Sequence, residues 1–300
     1  MEITIRGLRK VYPNGNVALD GIDLQIGRGI FGLLGPNGAG KSTLMRILVT
    51  LMRPTSGEVK VGGMDLQRQR GRIRRLLGYL PQEFAHFPRL RTYEFLDYMA
   101  RLSGMRSGRE RRRAIESILH EVGLFEARDR MASQLSGGMK RRLGIAQALI
   151  HRPRILIVDE PTTGLDPEER IRFRNLLADI SSGEVIVILS THIVGDISST
   201  CNQMTLLNHG RIAYAGPPEG LIEKARGHVW QITVGDRDYV DVSAKYPVIA
   251  TVPGRDGWAV QLVGEPPEGF PALPVEPNLE HAYVYFMEYV LQEKVEDALR

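Results

Sequence analysis

Three short stretches of this chain hold residue types whose order could do chemistry on a phosphate. The run Gly35-Pro36-Asn37-Gly38-Ala39-Gly40-Lys41-Ser42-Thr43 fits the phosphate-loop pattern G-x-x-x-x-G-K-[ST]. Its glycines let the backbone curl N–H groups inward, and a helix starting at the lysine adds the positive end of its dipole. Lys41 would set an ammonium on the β- and γ-phosphates of a nucleotide, the Ser42 hydroxyl would ligate Mg²⁺, and Thr43 can donate to the α-phosphate. The second stretch is Val158-Asp159-Glu160. An Asp ending an apolar strand lies in the crevice where α/β sheets bind ligands, and it can hold Mg²⁺ directly or through water. Glu160 can accept a proton from an attacking water. The third stretch, Leu135-Ser136-Gly137-Gly138-Met139, pairs an N-cap serine with two glycines ahead of a helix. It is a second helix N-terminus built to receive an anion. One nucleotide has no obvious need of two.

The surrounding pattern supplies elements to position these groups. Gly29-Ile30-Phe31-Gly32-Leu33-Leu34 reads as a buried strand before the glycine loop, and Leu44, Ile47, Leu48 and Leu51 read as one helical face after it. Residues 2–6 and 22–26 alternate apolar and polar around Asn14-Gly15, which predicts an antiparallel edge layer with Tyr12 at its bend. There Tyr12 could lay its ring against a base. Strands are expected at 58–61 and 78–80, the latter running into Pro81-Gln82. Residues 83–134 then read as a helical insert, a subdomain extending to about 150 with the helix after Ser136. One of its helices shows Phe95, Met99 and Leu102 on a face, and the next shows Ile115, Ile118, Leu119 and Val122. Strand–helix units follow at 154–159 and 184–190, the second ending at Thr191-His192. Between them Asp166 caps a helix that opens Pro167-Glu168-Glu169. Such alternation means a mostly parallel sheet covered by helices. After Pro217-Pro218 the chain turns proline-rich, with strand-like runs at 229–234 and 258–263 and a last helix from Asn278 bearing Leu279, Ala282, Phe286 and Val290. The expected division is 1–225 and a small α+β domain, 226–300.

Composition excludes several classes. Charged residues are 25% and apolar ones 43%, which is ordinary for a soluble globular protein. No stretch reaches the roughly 18 uninterrupted apolar residues of a membrane-spanning helix. The opening residues alternate like a strand, unlike a signal peptide, so the expected place is the cytoplasmic side, at a membrane only through a partner. The single cysteine, Cys201, rules out an internal disulfide and reads as a small core residue. Arginines cluster at 68–75 and 106–113 without the aromatic interleaving of a base-stacking groove, which favours solvated helix faces over nucleic acid or lipid.

Taken in order, these segments make residues 1–220 resemble the ATP-binding cassette of ABC transporters, a P-loop NTPase. Tyr12 matches that family's base-stacking aromatic, residues 35–43 its Walker A, Gln82 its Q-loop, and 135–139 its signature motif. Residues 155–160 match Walker B, Gly164-Leu165-Asp166 the D-loop, and His192 the switch histidine that senses the γ-phosphate. The resemblance implies ATP and Mg²⁺ as cofactors, with Ser42, Asp159 and Gln82 around the metal. It also implies head-to-tail pairing, each ATP lying between one copy's Walker A and the other's signature. Ser136, Gly137 and Gly138 would then meet the γ-phosphate in trans, and Asp166 would touch the opposite copy. The second cassette would be another copy or a paralogue.

Met139 stands where many members have Gln, and Met139-Lys140-Arg141-Arg142-Leu143 resembles cassettes serving drug, antibiotic-peptide and lipid exporters, as does the tail Pro277-Asn278-Leu279-Glu280 with Tyr283. The reading is an ATPase subunit at the cytoplasmic face of the cell membrane, driving export by separate transmembrane permease subunits. Their cytoplasmic helices would dock on the insert near Phe84, Phe87, Tyr93, Phe95 and Tyr98. The alternative is a soluble ABC-type ATPase acting on DNA or the ribosome. Lys41 and Ser136 are 95 positions apart, which leaves no room for the long coiled coil of the DNA-acting kind. The ribosomal kind usually carries two cassettes. A small-molecule kinase leaves residues 135–139 and His192 without purpose.

Overall fold

In the computed structural model, which describes residues 1–84, 89–254 and 257–291, the chain divides into two units, Met1–Ile212 and Ala213–Arg300. The first opens with β1 (Ile3–Val11), β2 (Val17–Ile26), β3 (Gly29–Leu34), α1 (Lys41–Leu48), β4 (Ser56–Val61) and β5 (Met64–Asp65). Alternation puts Ile3, Ile5 and Leu8 of β1 and Leu19, Ile22, Leu24 and Ile26 of β2 on the buried face. The predicted edge layer is an antiparallel sheet of order β2-β1-β4-β5, and its first turn closes through Gly15 N–H to Tyr12 O at 2.9 Å.

The helix α1 stops three residues before Leu51. Thr50 sits at φ 64°, a left-handed turn that a β-branched residue rarely adopts, and Leu51 is 68% exposed instead of continuing the apolar face.

Next come α2 (Arg70–Arg74), β6 (Leu77–Leu80), α3 (Thr92–Leu102), α4 (Gly108–Glu121) and α5 (Gly137–Leu149). Ile115, Ile118, Leu119 and Val122 are buried as predicted. The face of α3 differs. Thr92, Phe95, Leu96 and Ala100 pack inward, against α4 and α5, and Leu102 is 64% exposed.

The unit is completed by β7 (Ile155–Asp159), α6 (Pro167–Ser181), β8 (Ile186–Thr191), α7 (Val194–Ser198) and β9 (Gln203–Asn208), and the division falls within β10 (Arg211–Gly216). Five strands run parallel in the order β9-β3-β8-β7-β6. Every residue of β7 and β8 is buried, as expected for strands covered on both faces. One core joins this sheet to the antiparallel layer, with Ile155, Ile157, Ile186 and Ile188 facing Ile5, Leu24 and Val59. Register aligns the strand ends: Leu34 pairs with Thr191, Asp159 with Ser190 and Leu80 with Val158. The glycine loop, Glu160, His192 and Gln82 therefore leave the sheet along one edge. Cys201 packs under Gly32, and burial pushes its thiol pKa up to about 12.

The second unit holds α8 (Pro218–Glu223), β11 (Val229–Val234), α9 (Asp236–Lys245), β12 (Val248–Gly254), β13 (Gly257–Val263), β14 (Leu273–Pro274) and α10 (Leu279–Tyr285). Its sheet is antiparallel, of order β12-β13-β11-β14, over a small core of Ile232, Val234, Val242, Val260 and Leu262. Asn278 caps α10 by accepting from His281 N–H at 2.9 Å, and Leu279, Ala282 and Phe286 are buried. This is the α+β pattern read from the sequence. Among the described residues no helix is long and apolar enough to cross a membrane.

Candidate nucleotide site

The glycine loop is formed and partly satisfied from within. Lys41, 5% exposed, donates its ammonium to Gly35 O at 2.7 Å and Pro36 O at 3.1 Å. Gly40 precedes α1 at φ 106° with no side-chain cap, so the first amides of the helix stay open to an anion. A Cβ on Gly40 would run into the Ala18 carbonyl, so the loop tolerates only glycine there. Loop and edge layer enclose a cleft of about 280 Å³, whose lining includes Tyr12, Lys41, Ser42, Thr43, Gln82 and Glu160. Asn37, Gly38 and Gly40 complete its glycine wall. Gly35, Pro36 and Ala39 belong to the loop backbone, and Ala39 is buried beneath it. The Tyr12 hydroxyl lies 3.1 Å from Thr43 Oγ1, joining the bend of the edge layer to the loop.

Glu160 is the hub of the cleft. It is 7% exposed and sits at φ 46°, a strained position for a non-glycine residue and one that clusters at functional sites. Its carboxylate accepts from Gln82 Nε2 at 3.3 Å and Thr163 Oγ1 at 3.4 Å, lies 3.1 Å from His192 Nδ1, and lies 3.8 Å from Lys41 Nζ. Four groups from four segments thus converge on one carboxylate. Burial holds the Lys41 ammonium below its usual pKa, opposed by Glu160 and Asp159.

Asp159 tests whether a cation suits the site. It is 4% exposed, and its Oδ1 has no hydrogen-bond partner among the described residues. Burial raises its pKa above the usual carboxylate range, and the Glu160 charge adds to the rise against Lys41 and Arg46. A buried carboxylate with a spare oxygen beside a phosphate loop fits a hard divalent cation. The raised pKa also fixes a sign. The folded state keeps this proton longer than the unfolded chain, so stability falls as pH rises through that window and stays low above it. Asp159→Asn escapes that loss. The variant should be more stable than the unmodified chain at pH 7 without nucleotide or metal, and the gain should shrink in acid, where Asp159 keeps its proton in both states. Urea titrations at pH 7 and in acid measure it, and a less stable variant at pH 7 would contradict the assignment.

The four residues expected to act in trans gather elsewhere. The cleft lining contains none of Ser136, Gly137, Gly138 and Asp166. Ser136 caps α5, accepting from Met139 N–H at 3.2 Å, and Asp166 caps α6, accepting from Glu169 N–H at 2.8 Å. A Cβ on Gly138 would press into the Glu169 carboxylate, which pairs with Arg142 at 3.3 Å. The starts of α5 and α6 are therefore locked side by side.

Sequence reading missed two tethers, one half-buried and one buried. Arg141 reaches from α5 to the carbonyls of Gln82, Glu160 and Pro161. Asp196, fully buried on α7, accepts from Thr162 Oγ1 and from Thr191 Oγ1 at 3.3 Å, beside the loop of Asp166 and the strand end of His192. Neither stands out in sequence, where Arg141 is one of a basic run. Of the aromatics on the insert, Phe95 is core and meets Phe84 edge-on at 5.9 Å, whereas Tyr98 is 43% exposed. Phe87 lies outside the described residues.

The chain is similar to known proteins in both sequence and fold. A family model described as ABC transporter matches residues 19–163. An uncharacterized ABC transporter ATP-binding protein of Bacillus subtilis (strain 168) is 38% identical over 205 residues, 68% of this chain and 67% of that protein. A daunorubicin/doxorubicin resistance ATP-binding protein of Streptomyces peucetius is 37% identical over 78% of this chain and 71% of its own length. A solved dimeric ATP-binding cassette in a post-hydrolysis state, bound to ADP and Pi, superposes with a TM-score of 0.65 at 27% identity, covering 72% of this chain and 98% of that one.

Proposed function

The chain belongs to the ABC transporter family as an ATP-binding, ATP-hydrolysing subunit, and from that premise we propose that two cassettes close head to tail on ATP and Mg²⁺ to drive export by separate membrane subunits. The observation that carries the shared site is the separation just described. Lys41, Gln82 and Glu160 line one cleft, with His192 against Glu160, while Ser136, Gly138 and Asp166 form a second, locked group with no ligand role in its own cleft. A second copy, or a paralogue, supplies that group to the phosphate. Relatives named for daunorubicin and doxorubicin resistance support the exporting direction. A role on DNA or the ribosome is not favoured by them.

In this reading Tyr12 receives the base, the amides of residues 35–43 and Lys41 receive the phosphates, and Ser136 with the Gly138 N–H closes over the γ-phosphate from the partner copy. Glu160 takes a proton from the attacking water, which Gln82 and His192 help to place. Ser42, Asp159 and Gln82 would hold Mg²⁺, which would supply positive charge beside the phosphates. Permease subunits dock on the helical insert beside Tyr93 and Tyr98, which places the chain at the cytoplasmic face of the membrane. Residues 1–225 are the nucleotide-binding domain and residues 226–300 an accessory domain.

Complementation tests the shared site. Ser136→Arg and Lys41→Ala should each be inactive alone, because each homodimer spoils both sites. A mixture rebuilds one intact site in each mixed dimer, so up to about a quarter of normal ATPase should return at equal amounts. A mixture no more active than either variant would overturn the model.

A further inference from the structure

Arg141 takes no part in the chemistry assigned above, yet its guanidinium ties three segments together. Its Nε donates to Pro161 O at 2.8 Å, Nη1 to Gln82 O at 2.6 Å and Nη2 to Glu160 O at 3.0 Å. Nη1 also lies 3.5 Å from Pro81 O. A planar fork of donors can meet carbonyls on three sides at once, which a lysine ammonium cannot do from one point.

The carbonyl of Glu160 is an informative partner. Its peptide is strained at φ 46°, and its N–H is fixed to Ser190 O of β8 at 2.9 Å. Arg141 holds the other end of the same residue. Such strain persists only where the surroundings over-determine it, and here the sheet fixes one side and α5 the other. Arg141 stands five residues beyond Ser136 on the same helix, so whatever seats Ser136 also sets the hand that grips Gln82 and Glu160. Burial lowers the pKa of the guanidinium, and the Asp159 and Glu160 charges oppose that shift.

We propose that Arg141 is a positioning residue for hydrolysis, holding Gln82 and Glu160 of its own copy in register with the helix that presents Ser136 to the partner copy's ATP. The inference rests on the paired-cassette reading. It gives each cassette a direct connection between its hydrolytic pair and the group it lends across the interface.

The test uses the full-length chain. Arg141→Ala should lower kcat at least tenfold while KM for ATP stays within twofold, because the glycine loop is untouched. Its thermal midpoint should stay close to that of the unmodified chain. Arg141→Lys keeps the charge and loses the fork, and it should be as slow as the alanine variant. A kcat within twofold of normal in the alanine variant, full rescue by lysine, or a loss shared equally by kcat and KM would overturn the proposal.

Mixing locates the effect. Arg141→Ala with Ser136→Arg copies should regain activity, since the Ser136→Arg copy has an intact Arg141 beside its own Gln82 and Glu160 and borrows Ser136 from its partner. Arg141→Ala with Lys41→Ala copies should stay slow, since the only working Lys41 sits beside an untethered pair. The reverse pattern, or recovery in both mixtures, would also overturn it. If Ser136→Arg and Lys41→Ala fail to complement each other, the shared site itself is refuted, and the kcat and KM measurements still decide the role of Arg141.

Discussion

Glu160→Gln should bind ATP with near-normal affinity, hydrolyse it about 10²–10⁴ times more slowly, and accumulate as a dimer when ATP and Mg²⁺ are supplied. Glutamine keeps the volume of the side chain and an oxygen for Gln82, Thr163 and His192, so the cleft should keep its shape. What it loses is basicity at the one carboxylate on which four segments converge. Gln82, Thr163 and His192 all meet Oε2 of that carboxylate, while Oε1 lies 3.8 Å from Lys41 and is the oxygen better placed to take a proton from water. Steady-state ATPase assays and size-exclusion chromatography with ATP measure the two halves of the prediction. Turnover near normal would remove Glu160 from the role of base.

Lys41→Ala should fail at two levels. The ammonium is the buried cation of the cleft, and charge-assisted bonds to phosphate oxygens from such a group contribute roughly 2–3 kcal/mol. ATP affinity should therefore fall about 100-fold, at about 1.4 kcal/mol per factor of ten. The chain itself should also weaken. Lys41 lies 3.8 Å from Glu160, both are nearly buried, and removing one partner of a buried pair leaves the other uncompensated at a cost of about 3 kcal/mol. The double variant Lys41→Ala with Glu160→Gln separates these effects. It should recover part of the lost stability in urea while binding ATP no better than Lys41→Ala. If the double variant is no more stable, the ion pair is not the source of the loss.

Much of this arrangement was legible in the residues themselves. Period-two alternation placed β1 and β2, uninterrupted apolar runs placed β3, β7 and β8, and Ser136 and Asp166 announced the helices they cap. These signals are local, and the backbone obeys them wherever nothing distant intervenes. Where neighbours decide, the reading slipped. Helical periodicity gave α3 an apolar face one position away from the real one, because α4 and α5 select Leu96 and Ala100 over Met99 and Leu102. Thr50 ends α1 in a left-handed conformation that no glycine or proline announces. Arg141 and Arg142 look alike in the run Lys140-Arg141-Arg142, yet one grips the carbonyls of Gln82 and Glu160 and the other pairs with Glu169. Asp196 is equally silent in sequence, since nothing near it predicts that Thr162 and Thr191 will come from elsewhere to meet it.

The buried thiol under β3 has a practical consequence. Cys201 is the only cysteine of the chain, and with its pKa pushed to about 12 it holds almost no thiolate at neutral pH. Maleimides, spin labels and mild oxidants should therefore pass it by in the folded state. A cysteine placed on the surface, at the exposed Leu51 or Leu102 for example, becomes the sole reactive handle without any native residue having to be removed. Closing and opening of a pair of cassettes can then be followed by distance probes on an otherwise unaltered protein.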